Sequence, residues 1–228
     1  QGKLAEANRV VLEALRLLDP AKTNLMMIWF QDMQTLQPDV PALVKFLEAA
    51  INQNAVPGAA DWLGYFRASL MVDLPDDFDT AVKQLESLAA GGKPEDVRLM
   101  AARMLGGKLY ASGKFDRAEA AWRESLKSFP KDAELNNNLA YMLAVQLNRC
   151  QDAIPFALAA TEVDPKNADV ADTLAFCYFK CGKLSEAVQT YRGALESIKS
   201  ARTGVHMLSH LAEAELELSK QAPTPEER

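Results

Sequence analysis

GKFDRAEAAWRESLKSFP, residues 113–130, decides the fold. Its apolar residues fall at helical spacing and a proline closes it, so on its own it reads as one amphipathic helix. The chain then says it again. GKFDRAEAAWRESL begins at Gly113 and GKLSEAVQTYRGAL at Gly182, about two periods of a 34-residue unit apart. Between them stands a third copy, CQDAIPFALAATEVDP (150–165). The recurring small residue is Ala118, Ala153 and Ala187, so the steps are 35 and 34. The middle copy carries one inserted residue, which the reading assigns to Leu147-Asn148-Arg149.

Each copy follows another helix-period segment: LMAARMLGGKLYASG (99–113), AELNNNLAYMLAVQL (133–147) and ADVADTLAFCYFKCG (168–182). Their apolar pairs are Leu105 and Leu109, Leu139 and Leu143, Leu174 and Tyr178. A small residue follows the first apolar residue each time: Gly106, Ala140, Ala175. A small side chain there lets a paired helix come close. These residues carry a resemblance. The unit resembles the tetratricopeptide repeat, a helix–turn–helix with small and aromatic residues at fixed offsets. The first clear copy matches at Leu105-Gly106, Tyr110, Gly113, Ala118, Trp122 and Pro130. The last matches at Leu174-Ala175, Tyr178, Gly182, Ala187, Tyr191 and Ala194. The middle copy matches at Leu139-Ala140, Ala153, Ala160 and Pro165, with Ala157 where an aromatic usually sits.

The amino-terminal half keeps the rhythm less clearly. DDFDTAVKQLESLAAG (76–91) resembles a second helix, preceded by GAADWLGYFRASLMVD (58–73). DVPALVKFLEAAINQN (39–54) resembles another, after TNLMMIWFQDMQTLQ (23–37). GKLAEANRVVLEALRLLDP (2–20) resembles a second helix with no first helix before it, which predicts an array entered midway or a lone covering helix. RTGVHMLSHLAEAELELSK (202–220) resembles a first helix without a partner, and Glu213, Glu215 and Glu217 suit a solvent-facing cap. The expected organisation is degenerate repeats over 1–98, three clear units over 99–201, a capping helix over 202–221 and a polar, disordered tail over 222–228. The expected fold is all-α, about twelve helices stacked, as the resemblance implies, into a right-handed superhelical α-solenoid.

Composition agrees with a globular chain: 228 residues, 49% hydrophobic and 25% charged. A net charge of -6 and no basic stripe speak against nucleic acid. LMMIWF (25–30), the most apolar run, is far shorter than the roughly 20 residues of a membrane span. An odd number of cysteines, Cys150, Cys177 and Cys181, points away from a disulfide framework. Cys177 and Cys181, at i, i+4, read as small packing residues. The compartment stays open: the cytoplasm is the default, and export is compatible with the sequence.

Nothing in the chain assembles a catalytic motif, so no enzymatic activity and no cofactor are expected. His206 and His210 stand at i, i+4, the spacing at which two imidazoles share a metal. A structural site wants four ligands, and none is adjacent in sequence, so no metal is expected either. Tyr110, Trp122, Tyr178 and Tyr191 recur at repeat spacing and read as core.

The resemblance implies that first helices line a concave face. Positions off their core faces are then the candidates for binding a peptide: Arg103; Asn137, Asn138 and Tyr141; Asp172, Phe176 and Lys180; His206 and His210. Amides pair with a backbone, aromatic rings offer rigid apolar area, and cations meet carboxylates. Asn138 has a second reading, as a residue that holds a neighbouring turn. One subclass of the family grips the acidic carboxyl-terminal tails of heat-shock chaperones with lysine, arginine and asparagine. Here Gly107, Asp169 and Thr173 occupy three of those places and only Arg103 and Asn138 match in part, so that clamp is not expected. The leading expectation is a scaffold that binds a protein or peptide partner in the groove. The alternative is a repeat region that positions the catalytic domain of a larger enzyme or secretion-linked assembly. Self-association through the partnerless last helix is a further possibility.

Overall fold

The computed structural model describes residues 2–36, 39–197 and 201–221. Among them the chain forms twelve helices and no strand. The expected tail, 222–228, lies outside the described residues. The chain forms two compact units, Gln1–Leu109 and Tyr110–Arg228, and the division falls within one helix, α6.

The first unit contains α1 (Gly2–Arg16), α2 (Thr23–Leu36), α3 (Val40–Asn52), α4 (Ala60–Met71), α5 (Phe78–Gly91) and most of α6 (Glu95–Ala111). Helix α3 starts cleanly: Asp39 Oδ1 accepts from the Ala42 amide at 3.2 Å and a proline sits in the first turn. Helix α4 packs on α3 and on α5. Bulk fills this unit. Phe66 and Trp62 are fully buried, and Phe30 stacks on Phe66 with ring centroids 4.2 Å apart. The two indoles are also tethered, Trp62 Nε1 donating to the Pro20 carbonyl at 2.8 Å and Trp29 Nε1 to that of Val11 at 3.3 Å.

The second unit continues with α7 (Phe115–Ser128), α8 (Ala133–Val145), α9 (Cys150–Val163), α10 (Ala168–Lys180), α11 (Leu184–Ser197) and α12 (Ala201–Lys220). Helices α8 and α10 each pack on their own second helix and on the next first helix, so α8, α10 and α12 are neighbours in series. The repeat register holds in three dimensions. Ala118, Ala153 and Ala187 are fully buried, as are Ala140 and Ala175. Asp132 and Asn167 occupy equivalent places, 35 residues apart, and each caps the helix that follows. Asp132 Oδ1 accepts from the Leu135 amide at 2.9 Å, and Asn167 Oδ1 from that of Asp169 at 3.0 Å.

The inserted residue is where the spacing put it. Three residues, 181–183, join α10 to α11, but four, 146–149, join α8 to α9. Gly113 and Gly182 turn with φ of 73° and 71°, and Asn148, at φ 50°, makes the corresponding turn in the middle copy.

Two expectations are corrected. The odd cysteine count did not exclude a disulfide: Cys150, opening α9, is bonded to Cys181, closing α10, with Cα atoms 5.5 Å apart. Packing α9 on α10 brings these two helix ends together, a neighbourhood invisible to a comparison within one helix. Such bonds persist in oxidising compartments. Cys177 remains a buried thiol, and burial pushes it up to about 12. Not all repeat aromatics are core, either. Trp122 and Tyr191 are buried, but Tyr110 and Tyr178, in the last turns of their helices, are only half-buried.

Candidate functional site

The serial contact of α8, α10 and α12 sets corresponding residues side by side. Counting in repeat steps of 35 and 34 gives two columns one helical turn apart. Asn137, Asp172 and His206 form a polar column; Tyr141, Phe176 and His210 form an aromatic one.

On α8, three asparagines in a row have separate fates. Asn136 is buried, and its Nδ2 donates to the Pro130 carbonyl at 3.0 Å and to that of Asp132 at 2.8 Å. It is this asparagine that holds the neighbouring turn, a role the sequence reading offered to Asn138. Asn137 and Asn138 are half-buried. The Asn137 Oδ1 is buried without a protein partner, a state that costs about 1–3 kcal/mol unless some donor meets it. Tyr141 is 43% exposed and meets the Tyr110 ring edge-on at 6.5 Å. The Tyr110 hydroxyl in turn accepts from Gln146 Nε2 at 3.1 Å. Partial burial, then the nearby Tyr110 and Asp172, push the Tyr141 hydroxyl up, which keeps it a donor.

Asp172 is the hub of the next step. Its Oδ1 lies 3.4 Å from His210 Nδ1 and its Oδ2 3.6 Å from His206 Nδ1. The two imidazoles meet edge-on at 4.3 Å. His210 and Asp172 are 19% and 20% exposed, whereas His206 is 68% exposed. Phe176 stands one turn beyond Asp172, its ring 5.2 Å from that of His210. Lys180 reaches back over Phe176 with its Nζ 6.0 Å from the ring centroid. Behind the histidines, α11 supplies Tyr191, whose ring is 6.0 Å from His210. Its hydroxyl is buried without a protein partner; burial, then the Asp172 charge, raise its pKa and hold it protonated.

The structure thus brings Asp172, Phe176, Lys180, His206 and His210 into one run of contacts, with Tyr141 at the matching repeat position on α8 and Asn137 and Asn138 one turn before it. Arg103 is half-buried on α6 in the first unit. Thr173 is buried and donates to the Asp169 carbonyl at 3.0 Å, so no cation occupies that clamp position. Sequence reasoning missed two things. One is Tyr110 as an accessible wall beside Tyr141. The other is Asp172 as a third ligand-bearing group beside the histidine pair, and the expectation of no metal rested on that ligand being missing. The signal was present: Asp172 precedes His206 by one repeat period.

The tetratricopeptide repeat family matches residues 103–169. No curated protein matches the chain. Several solved structures of MamA have a similar fold. A double mutant of MamA RS-1 is 16% identical and covers 79% of this chain and 96% of its own, with a TM-score of 0.59. MamA AMB-1 is 20% identical over 74% of this chain and 96% of its own, at 0.53. A truncated MamA from Desulfovibrio magneticus RS-1 is 17% identical over 69% and 96%, at 0.51. At these identities the likeness is one of fold. No helix among the described residues is long and apolar enough to cross a membrane.

Proposed function

This chain being a tetratricopeptide-repeat α-solenoid, we propose that it is a protein-interaction scaffold, without chemistry of its own, that holds an extended peptide of a partner protein across α8, α10 and α12. The observation that carries this reading is the pair of columns. Helices packed for stability alone have no need of adjacent polar and aromatic rows, left part-exposed, at matching repeat positions. The polar row offers the half-buried Asn137 side-chain amide as a partner for a peptide backbone. The aromatic row offers Tyr141 and Phe176 as rigid walls for side chains. Lys180, exposed at the rim, suits a carboxylate.

The test begins with a partner captured by crosslinking and mapped to its bound segment. Affinity is then measured for the parent, Tyr141→Ala, Phe176→Ala and an outer-wall control, Lys127→Ala. Truncating a desolvated aromatic anchor costs about 2 kcal/mol or more, nearly thirty-fold in affinity. Asn137→Ala should cost about 1 kcal/mol, the net worth of one neutral hydrogen bond. If Lys127→Ala weakens binding while both aromatic changes leave it intact, the partner docks elsewhere and the groove reading fails.

A further inference from the structure

We propose that Asp172, His206 and His210 form a binding site for a divalent late transition-metal ion, zinc being the chemically apt choice. The inference stands on the geometry of these three side chains and not on the peptide reading above.

The donor set is right. Two imidazole nitrogens are borderline ligands that, with one carboxylate oxygen, suit zinc, copper and nickel, whereas calcium and magnesium prefer oxygen throughout. The spacing is right as well. In a tetrahedral zinc site with bonds of about 2.0–2.2 Å, neighbouring donor atoms stand about 3.3–3.6 Å apart. The Asp172 oxygens lie 3.4 Å from His210 Nδ1 and 3.6 Å from His206 Nδ1. The three donor atoms all fall within 4.8 Å of one another. Both histidines present Nδ1 to the same carboxylate from consecutive turns of α12, so small rotations of two rings complete the arrangement.

The framework that holds these groups is stiff. Asp172 and His210 are four-fifths buried between α10 and α12. Phe176 and Tyr191 pack about the His210 ring, and the buried Tyr191 hydroxyl is a donor with no protein partner. A donor of that kind is what orients a ligating carboxylate or a metal-bound water. His206 lies open to solvent, so the ion would keep a free coordination position on the groove side. Three protein ligands and one open position are the pattern of a site that takes an outside ligand, in contrast to a closed structural site. A carboxylate or imidazole from a bound chain is the class of group that would fill it. Cys177 does not compete, because burial holds its thiol protonated.

The experiment uses the full chain, free of any affinity tag and in non-reducing buffer. Zinc binding is followed by calorimetry, and Co2+ is added separately to read the intense visible bands of a four-coordinate site. The expected result is one zinc per chain, tetrahedral-type Co2+ bands, and a zinc-dependent rise in Tm. His206→Ala and Asp172→Asn should each weaken zinc by at least about tenfold, the loss seen even for groups that only support a ligand. His206 is exposed, so its substitution leaves the helices intact, and an unchanged circular dichroism spectrum verifies this. Absence of zinc binding at millimolar ion, or binding that survives both substitutions unchanged, overturns the site. Peptide affinity measured in the parent chain stripped of metal by a chelator keeps the two proposals apart: binding that persists there upholds the groove even if zinc fails.

Discussion

The two compact units both bury small residues between paired helices, Gly64 and Ala81 in the first and Ala118 and Ala187 in the second, but the first adds a cluster of rings. In Tyr110–Arg228, close approach comes from small residues at a fixed period, with Ala118, Ala140, Ala153, Ala175 and Ala187 all fully buried. In Gln1–Leu109, Trp29, Phe30, Trp62, Tyr65 and Phe66 form a linked aromatic cluster around α4. Both arrangements leave their central side chains fully buried. They differ in what a substitution meets. A small-residue interface has no room to add volume, and an aromatic cluster leaves a large hole when volume is removed.

That contrast is broken most severely in the first unit. Phe66 is fully buried and touches four other rings, so Phe66→Ala should cost about 3–5 kcal/mol by transfer and cavity terms together. Urea unfolding followed by circular dichroism measures it. A loss below about 1 kcal/mol would mean that the cluster is not what holds α4 in place.

The next effect belongs to the second unit, which carries the Cys150–Cys181 bond. A cross-link over 31 residues stabilises by about 4 kcal/mol in the chain-entropy account. Cys181→Ser should therefore lower stability by about that amount, and the reduced parent should unfold at the same denaturant concentration as the variant. A reduced parent that matches the oxidised one would show that the bond adds no stability.

Ala187→Leu tests the small-residue rule directly. Ala187 is fully buried at the start of α11, within a core that includes Ala175, Tyr191 and Met207. Three added carbons should overpack the pair and cost about 1–3 kcal/mol. Stability equal to that of the parent would place Ala187 away from the close approach and undo the register on which the repeat reading stands.

The same contrast explains what was legible. In the second unit the fold could be read almost residue by residue, because close packing of paired helices demands a small side chain at one place in each helix. Ala118, Ala153 and Ala187 are that demand written at a fixed interval. In the first unit Gly64 and Ala81 are buried small residues too, but the rings of Trp62 and Phe66 dominate α4 and recur at no fixed interval, so the helices were legible and the period was blurred. The candidate site was half legible. Columns at repeat spacing can be counted, and Tyr141, Phe176 and His210 were found in that way. Partners that meet across helices follow from rotation and tilt, which spacing does not encode. Asp172 beside both histidines and Cys150 beside Cys181 are contacts of that kind. Asn136 shows the limit at closest range: three adjacent asparagines have the same chemistry, and only the direction each faces on α8 decides which one ties the turn at Pro130.

The smallest expected effect tests how the second unit absorbs its one irregularity. The α8–α9 connection is a residue longer than the α10–α11 connection, yet the register of buried alanines survives it. The turn at Asn148 permits this, with φ at 50° in the left-handed region where a Cβ crowds the backbone. Asparagine tolerates that region better than other side chains, and glycine enters it freely. Asn148→Ala should therefore cost about 1 kcal/mol, while Asn148→Gly should stay within about 0.5 kcal/mol of the parent. Gly182→Ala, at φ 71° in the regular connection, should cost at least as much as Asn148→Ala, because the alanine methyl replaces no side chain already fitted to the turn. Paired denaturation curves for the three variants measure the order. If Asn148→Ala were silent while Gly182→Ala was costly, the longer connection would be relaxing out of the left-handed region, and the inserted residue would be taken up as slack with no defined turn at Asn148.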